Sequence, residues 1–101
     1  MSLRGLVYTG PSQIHGTGLF ARKPIEGGSF IGTFSGRTVK RNGTYVLWVY
    51  DEALEPVGRS GRNLLRYLNH AIDCNAEFDG FDLYAIRPIE QDEEITFDYG
   101  E

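Results

Sequence analysis

A short segment of the chain occurs twice, and this repeat constrains the fold more than any other feature. Residues 19–26 (LFARKPIE) match residues 83–90 (LYAIRPIE) at an offset of 64, and Ile31 and Ile95 keep that offset. Each copy predicts a strand that runs into a Pro-Ile turn and returns as a second strand. One interpretation is a turn used twice by chance. The other, which we favour, is a pseudo-duplicated all-β domain.

The remaining sequence also indicates short strands joined by tight turns. It contains 13 glycines, and no stretch keeps apolar residues at helical spacing for three turns. Only residues 63–68 predict a helical turn. The predicted strands cover residues 6–8, 19–21, 30–34, 45–50, 77–78, 81–86 and 95–97.

Two dipeptides are typical of two-residue hairpins, namely Asp79-Gly80 and Asn42-Gly43. The polar stretch 51–60 is predicted to be a loop because it contains Pro56 and glycine. We expect it to belong to a variable or substrate-facing insert over residues 37–62.

Length and charge exclude several classes of protein. The 101 residues suit one domain, which we place at residues 4–100. The net charge of -4 argues against a nucleic-acid partner and suits a basic substrate such as a lysine-rich tail. No apolar run would span a bilayer, and no signal peptide is visible. The single cysteine, Cys74, forms no internal disulfide or zinc cluster, which favours an intracellular location, cytoplasmic or nuclear.

Three segments hold candidate functional residues, and each has a plain structural interpretation when taken alone. A glycine pair, Gly16 and Gly18, fits a structural turn. Asn69-His70 lies among apolar residues and fits a buried hydrogen-bonded pair. Phe97 and Tyr99 share one face of a strand, where two aromatic residues more often belong to a core than to a catalytic site.

Taken together, the order and spacing of these segments resemble the SET domain family of protein lysine methyltransferases. Gly16-Thr17-Gly18 resembles its first glycine motif, and residues 31–36 (IGTFSG) resemble the second. Residues 66–75 (RYLNHAIDCN) and 94–99 (EITFDY) are similar to its two later motifs. The resemblance covers nearly the whole chain. It implies a mostly β fold, a β-clip of several small sheets with a knot-like threading of the C-terminus.

The resemblance also implies a reaction, in which the methyl group of S-adenosylmethionine passes to a lysine ε-amine. Cofactor and lysine would enter from opposite faces and meet in a narrow channel. The cofactor would contact the backbone of the first glycine motif, the side chain of Asn69 at its amino-acid end and the backbone of His70 at its adenine. Arg66 would face the cofactor carboxylate or serve the structure. The implied cofactor set is Gly16, Thr17, Gly18, Arg66, Asn69, His70 and Tyr99.

The implied catalytic set is Tyr99, Phe97 and Phe34. Tyr99 would orient the amine with its hydroxyl. Phe97 occupies a position that holds Phe or Tyr in the family, and Phe there implies di- or trimethylation. Phe34 replaces a common tyrosine and removes a hydroxyl from the lysine side. No metal ligand set is expected.

Three functions stay open at this point. They are an active lysine methyltransferase acting on a protein, with histone-like proteins among its candidate substrates, a binding module that holds peptide or cofactor without turnover, and a small structural β domain that acts by self-association. Homodimerisation is a further hypothesis, because pairing would add core to a small chain and could close its site.

Overall fold

The structure is a computed structural model that describes residues 3–98, and strands dominate it. A short helix, α1 (Leu3–Leu6), precedes the first strand, and a 3₁₀ turn (Leu64–Tyr67) precedes the seventh. The ten strands are β1 (Val7–Pro11), β2 (Thr17–Ala21), β3 (Phe30–Thr33), β4 (Gly36–Val39), β5 (Val46–Tyr50), β6 (Pro56–Gly61), β7 (Asn69–His70), β8 (Ala76–Asp79), β9 (Asp82–Ala85) and β10 (Glu94–Phe97).

These strands form three small sheets, with orders β1-β2-β10-β7, β3-β9-β8 and β4-β6-β5. The first sheet is antiparallel except for β10 and β7, which pair in parallel. The predicted fold class, mostly β with several small sheets, is confirmed. The knot-like threading stays a prediction.

The two copies of the repeated segment are bonded to each other. Ile25 and Ile89, which occupy the same place in each copy, form an antiparallel bridge with N···O distances of 2.8 and 2.9 Å. The surrounding hydrogen bonds come in matching pairs. These are Ala21 N to Glu93 O (3.0 Å) with Ala85 N to Ser29 O (2.9 Å), and Asp92 N to Ala21 O (2.7 Å) with Gly28 N to Ala85 O (2.7 Å). This reciprocity agrees with an internal duplication.

All three sheets contribute to one hydrophobic core. Leu19 of β2 and Leu83 of β9 are fully buried, and Leu47 of β5 joins the same cluster. Burial of apolar side chains contributes about 1.5–3 kcal/mol each, so this shared cluster holds the sheets together. Among residues 3–98, no helix is long and apolar enough to span a membrane.

Two local predictions are confirmed. β8 and β9 form a tight hairpin in which Asp79 pairs with Asp82, and Gly80 adopts a φ of +61°. Residues with a side chain rarely adopt a positive φ of this size, so glycine is suited to the turn. The helical turn predicted for residues 63–68 is the 3₁₀ turn at Leu64–Tyr67.

The third sheet contradicts two predictions. The supposed loop 51–60 is wrong in its second half, because β6 is the central strand of this sheet. The hairpin predicted at Asn42-Gly43 is also wrong, since β4 and β5 both pair with β6 and not with each other. The true hairpin joins β5 to β6, and its turn forms around Asp51, whose Oδ1 accepts hydrogen bonds from two backbone N–H groups at 2.9 Å.

Candidate active site

An open cleft of about 430 Å³ lies beside β7 and the loop before β2. Five of the residues predicted to bind a cofactor line it, and so do the aromatic side chains of Tyr45 and Tyr67. The five predicted residues are Gly16, Thr17, Arg66, Asn69 and His70. We call this opening the first cleft.

A second opening, of about 380 Å³, lies beside β5 and the β8–β9 hairpin, and we call it the groove. Its walls include two aromatic side chains, Trp48 and Tyr50, and two acidic ones, Glu77 and Asp98. Neither lysine nor arginine lines it among the described residues. The groove is therefore an acidic and aromatic surface.

A small cavity of about 50 Å³, which we call the channel, shares walls with both openings. Tyr45 and Leu68 line the channel and the first cleft, whereas Phe78 and Phe97 line the channel and the groove. Phe34 and Phe97, two members of the predicted catalytic set, both line the channel. The two large openings therefore lie next to a common small passage.

Aromatic rings form much of the channel wall. Phe34 and Phe97 are 5% and 6% exposed, and each meets the ring of Phe78 edge-on, with centroids 6.0 and 5.3 Å apart. Edge-on contact is a favoured arrangement of such rings and fixes their positions. A Cβ at Gly61 would lie 2.6 Å from the Phe34 ring, so glycine lets this ring pack against β6.

Asn69 is the centre of a polar cluster at the wall of the first cleft. Its Nδ2 lies 3.0 Å from the hydroxyl of Ser12, the carbonyl of His15 and the carboxylate of Glu94, and 3.4 Å from the carbonyl of Thr17. The amide group thus attaches β7 to the loop that precedes β2. The sequence predicts that this amide binds the cofactor. In the structure, its N–H groups donate instead to oxygen atoms of the protein.

Glu94 and Ser12 complete the cluster, and sequence reasoning assigned no role to either. The Ser12 hydroxyl donates to the Glu94 carboxylate at 2.8 and 2.9 Å from its two oxygens. Gly18 makes room for this carboxylate, because a Cβ there would lie 2.5 Å from Glu94 Oε2. Gly18, predicted to lie in a turn, is instead the buried second residue of β2, behind the cleft wall, where a glycine permits close approach of a neighbouring side chain.

Arg66 has a structural role in addition to its place in the cleft wall. Its guanidinium donates to the carbonyls of Arg62 and Asn63 at 2.7 and 3.1 Å and to the Tyr67 hydroxyl at 2.8 Å. It also lies 4.5 Å from the centre of the Tyr67 ring, within the range of a cation–π contact. These bonds fix the 3₁₀ turn and hold one wall of the cleft.

The C-terminal side of the site is described only as far as Asp98. His70 Nδ1 lies 3.8 Å from Asp98 Oδ1, and His70 pairs with Phe97 in the parallel ladder of β7 and β10. The predicted catalytic residue Tyr99 lies outside the described residues. Within residues 3–98, no three His, Cys, Asp or Glu side chains are grouped so as to hold a metal ion.

Comparison with known proteins gives a consistent family. The model of the SET domain matches residues 16–100. The chain is 27% identical over 110 residues to the histone-lysine N-methyltransferase trithorax of Drosophila melanogaster, covering 87% of this chain and 3% of that protein. It is 30% identical over 112 residues to a histone-lysine N-methyltransferase, H3 lysine-4 specific, of Aspergillus oryzae, covering 87% and 9%.

A solved structure shares the fold. The methyltransferase domain of human PR domain-containing protein 2 superposes with a TM-score of 0.72 at 28% identity, over 94% of this chain and 79% of that one. The chain spans less than a tenth of the length of the two curated relatives described above.

Proposed function

The chain belongs to the SET domain family, and from that premise we propose that it is an S-adenosylmethionine-dependent protein-lysine N-methyltransferase. One observation carries the proposal. The first cleft and the groove share wall residues with a single small aromatic channel, and two reactants could meet there from opposite sides. The family match and the names of the relatives support it.

The first cleft suits the cofactor in size and chemistry. Its volume of about 430 Å³ falls within the usual range for small-molecule sites, roughly 300–1,000 Å³. Tyr45, Tyr67 and Leu68 offer apolar surface for a purine, and Gly16 and Thr17 lie in the cleft wall. The space beside Gly16 is open to a ligand, since no heavy atom beyond its two chain neighbours lies within 4 Å of a Cβ placed there.

The protein would act mainly by alignment. S-adenosylmethionine supplies a methyl group that a neutral lysine amine takes by in-line displacement at carbon. The rings of Phe34, Phe78 and Phe97 would hold the lysine stem and exclude water from the channel. An apolar channel also favours the neutral amine by lowering the pKa of the lysine. Holding two reactants in line can supply about 7–11 kcal/mol of the barrier.

The groove supports a basic protein substrate. Glu77 and Asp98 would attract positive residues that flank the target lysine, and Tyr50 in the same groove is 74% exposed. The relatives are named as histone-lysine methyltransferases, so we include histone tails among the substrates and a nuclear or cytoplasmic location in the proposal. We assign no role to nucleic acid or membrane.

Tyr99 is the residue we propose for orienting the amine, and it directly follows Asp98 in sequence. Phe97 carries the proposal of di- or trimethylation, because it adds no hydroxyl to the channel. Mass spectra of a reacted peptide should contain dimethyl or trimethyl product, and Phe97→Tyr should shift the product toward monomethyl. Monomethyl product alone at completion with the wild type would contradict the proposal.

The decisive experiment pairs cofactor binding with methyl transfer. Calorimetry should show S-adenosylmethionine binding to the wild type and weaker binding to Asn69→Ala. Radiolabelled methyl should pass to mixed histones, and Tyr99→Phe should abolish transfer while binding remains. Absence of both binding and transfer at millimolar cofactor would overturn the proposal.

A binding module without turnover is the second candidate, and Phe34 favours it. The channel wall at this position has a buried ring and no hydroxyl. The same experiment separates the two functions, because the module predicts cofactor or peptide binding with no labelled product.

Homodimerisation stays a prediction, and a melting temperature that rises with protein concentration would support it.

A further inference from the structure

Two Asn–Glu pairs among residues 3–98 use adjacent glutamates, Glu93 just before β10 and Glu94 at its first position, and the pairs differ in one respect. Glu93 accepts a hydrogen bond from Asn75 Nδ2 at 3.1 Å, whereas Glu94 accepts one from Asn69 Nδ2 at 3.0 Å. Each glutamate therefore orients the amide of one asparagine. The two asparagines, however, do not have the same hydrogen-bonding capacity left over.

Asn75 is satisfied within the protein. It is 1% exposed, its Nδ2 also donates to the carbonyl of Glu94 at 2.9 Å, and its Oδ1 accepts from Thr96 N at 2.9 Å. An amide has two donors and one carbonyl acceptor, and all of them are engaged here. The Asn75–Glu93 pair has a structural role.

Asn69 uses only its donors. Its Nδ2 faces four acceptor oxygens, and among residues 3–98 no hydrogen bond reaches its Oδ1. A reversed amide would place Oδ1 against two backbone carbonyls and a carboxylate, which only accept hydrogen bonds, so these three groups fix the orientation. Asn69 lines the first cleft. Its unused carbonyl therefore belongs to a site wall.

Glu94 is the charged member of the group that fixes this orientation. Its carboxylate receives both the Asn69 amide and the Ser12 hydroxyl. Ser12 in turn accepts the backbone N–H groups of Ile14 and His15 at 2.9 and 3.3 Å. The carboxylate thus sets the direction of Asn69 and the shape of the loop at residues 12–16 together.

We propose that Glu94, acting with Ser12, is a positioning residue that holds Asn69 so that its Oδ1 accepts a hydrogen bond from an ammonium group in the first cleft. This inference rests on the proposed function, in which the ammonium is that of the amino-acid end of the cofactor. An amide carbonyl can accept from an ammonium but cannot donate to a carboxylate. The direction of the amide therefore selects the charge of the ligand group.

The test uses two ligands that share an adenosine but differ in the amino-acid end. S-adenosylhomocysteine carries the ammonium and the carboxylate of the amino-acid end, and 5′-methylthioadenosine lacks both. Calorimetry on Glu94→Gln should show an affinity for the first ligand reduced about tenfold, with an affinity for the second within about twofold of the wild type. Kinetics should show a raised KM for cofactor with a smaller change in kcat.

Glu93→Gln is the matched control, because it removes the same charge from the neighbouring residue and disturbs the structural pair with Asn75 and the 2.9 Å hydrogen bond from Glu90 N, neither of which lies in the Asn69 cluster. It should lower the melting temperature while both affinities persist. If Glu94→Gln does not fold, Ser12→Ala provides a second variant, because Ser12 is a half-buried loop residue. This change should weaken the binding of S-adenosylhomocysteine and leave that of 5′-methylthioadenosine unchanged. Amide hydrogen exchange at Ile14 and His15 should accelerate in both site variants.

The outcomes separate the two claims. If the wild type binds S-adenosylhomocysteine and the site variants bind it equally well, the positioning role is wrong and the proposed function stands. Equal losses for both ligands would also overturn the positioning role, because they would indicate general damage to the cleft. If the wild type binds neither ligand, the proposed function fails and this inference fails with it.

Discussion

The two copies of the repeated segment have the same pattern of backbone hydrogen bonds, but they carry different side chains at several corresponding positions. Each makes the same hydrogen bonds to the other around the Ile25–Ile89 bridge. After the turn, however, one copy continues with Phe30 and the other with Glu94. The first is a half-exposed ring, while the second is the carboxylate of the cleft wall. The repeat therefore provides the frame, and the residues that depart from it form the site.

The strands that follow the two turns also differ in regularity. β3 meets β9 with a register shift between Phe30 and Gly32, whereas β10 pairs with β2 without one. β10 also has β7 on its other edge, which β3 lacks. The second copy is therefore flanked on both sides, and this places Asn69 and His70 beside it.

The largest effect should come from the bridge itself. Ile89→Ala should lower the free energy of unfolding by about 2–5 kcal/mol, because the side chain is 1% exposed and its loss leaves a cavity. Ile25→Ala should cost nearly as much if the two copies are equivalent. Urea unfolding of the two variants and of the double variant measures this. If one variant loses several times more unfolding free energy than the other, the symmetry of the two copies is confined to the backbone.

Substitutions at Gly18 and at Asp82, its counterpart at the offset of 64, should differ in stability by a smaller amount. Gly18→Ala should destabilise by about 1–3 kcal/mol, since the added Cβ would meet the Glu94 carboxylate. Asp82→Ala removes only an exposed hydrogen bond from Thr33, at 2.6 Å, and should cost about 0.5–1 kcal/mol. Urea unfolding again decides. Equal costs would mean that Glu94 moves aside freely.

The turn positions Gly28 and Asp92 offer a subtler comparison, because both have positive φ, at +86° and +66°. Gly28→Ala should cost about 1 kcal/mol or more, since alanine is strained there. Asp92→Gly should change stability by less than about 1 kcal/mol, because relief of strain offsets the lost bond from Tyr8. Thermal melts of both variants test this, and a large loss for Asp92→Gly would assign Asp92 a greater role.

The smallest effect concerns pH. The Tyr8 hydroxyl donates to Asp92 at 2.7 Å, and this hydrogen bond, with burial and the carboxylate charge, raises the pKa of Tyr8 above 10.0. The protonated form is the one stabilised by folding, so its contribution is present below about pH 10 and is lost as pH rises through the raised pKa. The stability difference between wild type and Tyr8→Phe should therefore shrink above pH 10. Asp92→Ala should remove that pH dependence.

The repeat and the grouping of the three motif segments could be predicted from sequence because both depend on local patterns. β6 could not, because Pro56 and Gly58 are typical of loops. In the structure Pro56 begins the strand, and a Cβ at Gly58 would lie 2.7 Å from the Trp48 ring. Here packing between strands overrides local propensity.

The polar cluster around Asn69 could not be predicted from sequence for a different reason. Ser12 and Glu94 are 82 residues apart, and a lone serine in a loop carries no pattern that points to a distant carboxylate. Asn69 could be selected because it stands in a motif. The direction of its amide, however, depends on groups from two distant segments, residues 12–17 and Glu94. Residue types could therefore be predicted, while the hydrogen-bond directions that determine their chemistry could not.

The place of β10 in its sheet has a consequence for how the protein is made. This strand lies between β2 and β7, although it is the last strand of the described chain. On the ribosome, β2 would emerge long before its partner and keep one edge open, and such edges invite pairing with other chains. Folding that depends on pairing across the whole chain is also slow. We expect nascent chains that stop before Glu94 to depend on chaperones for solubility.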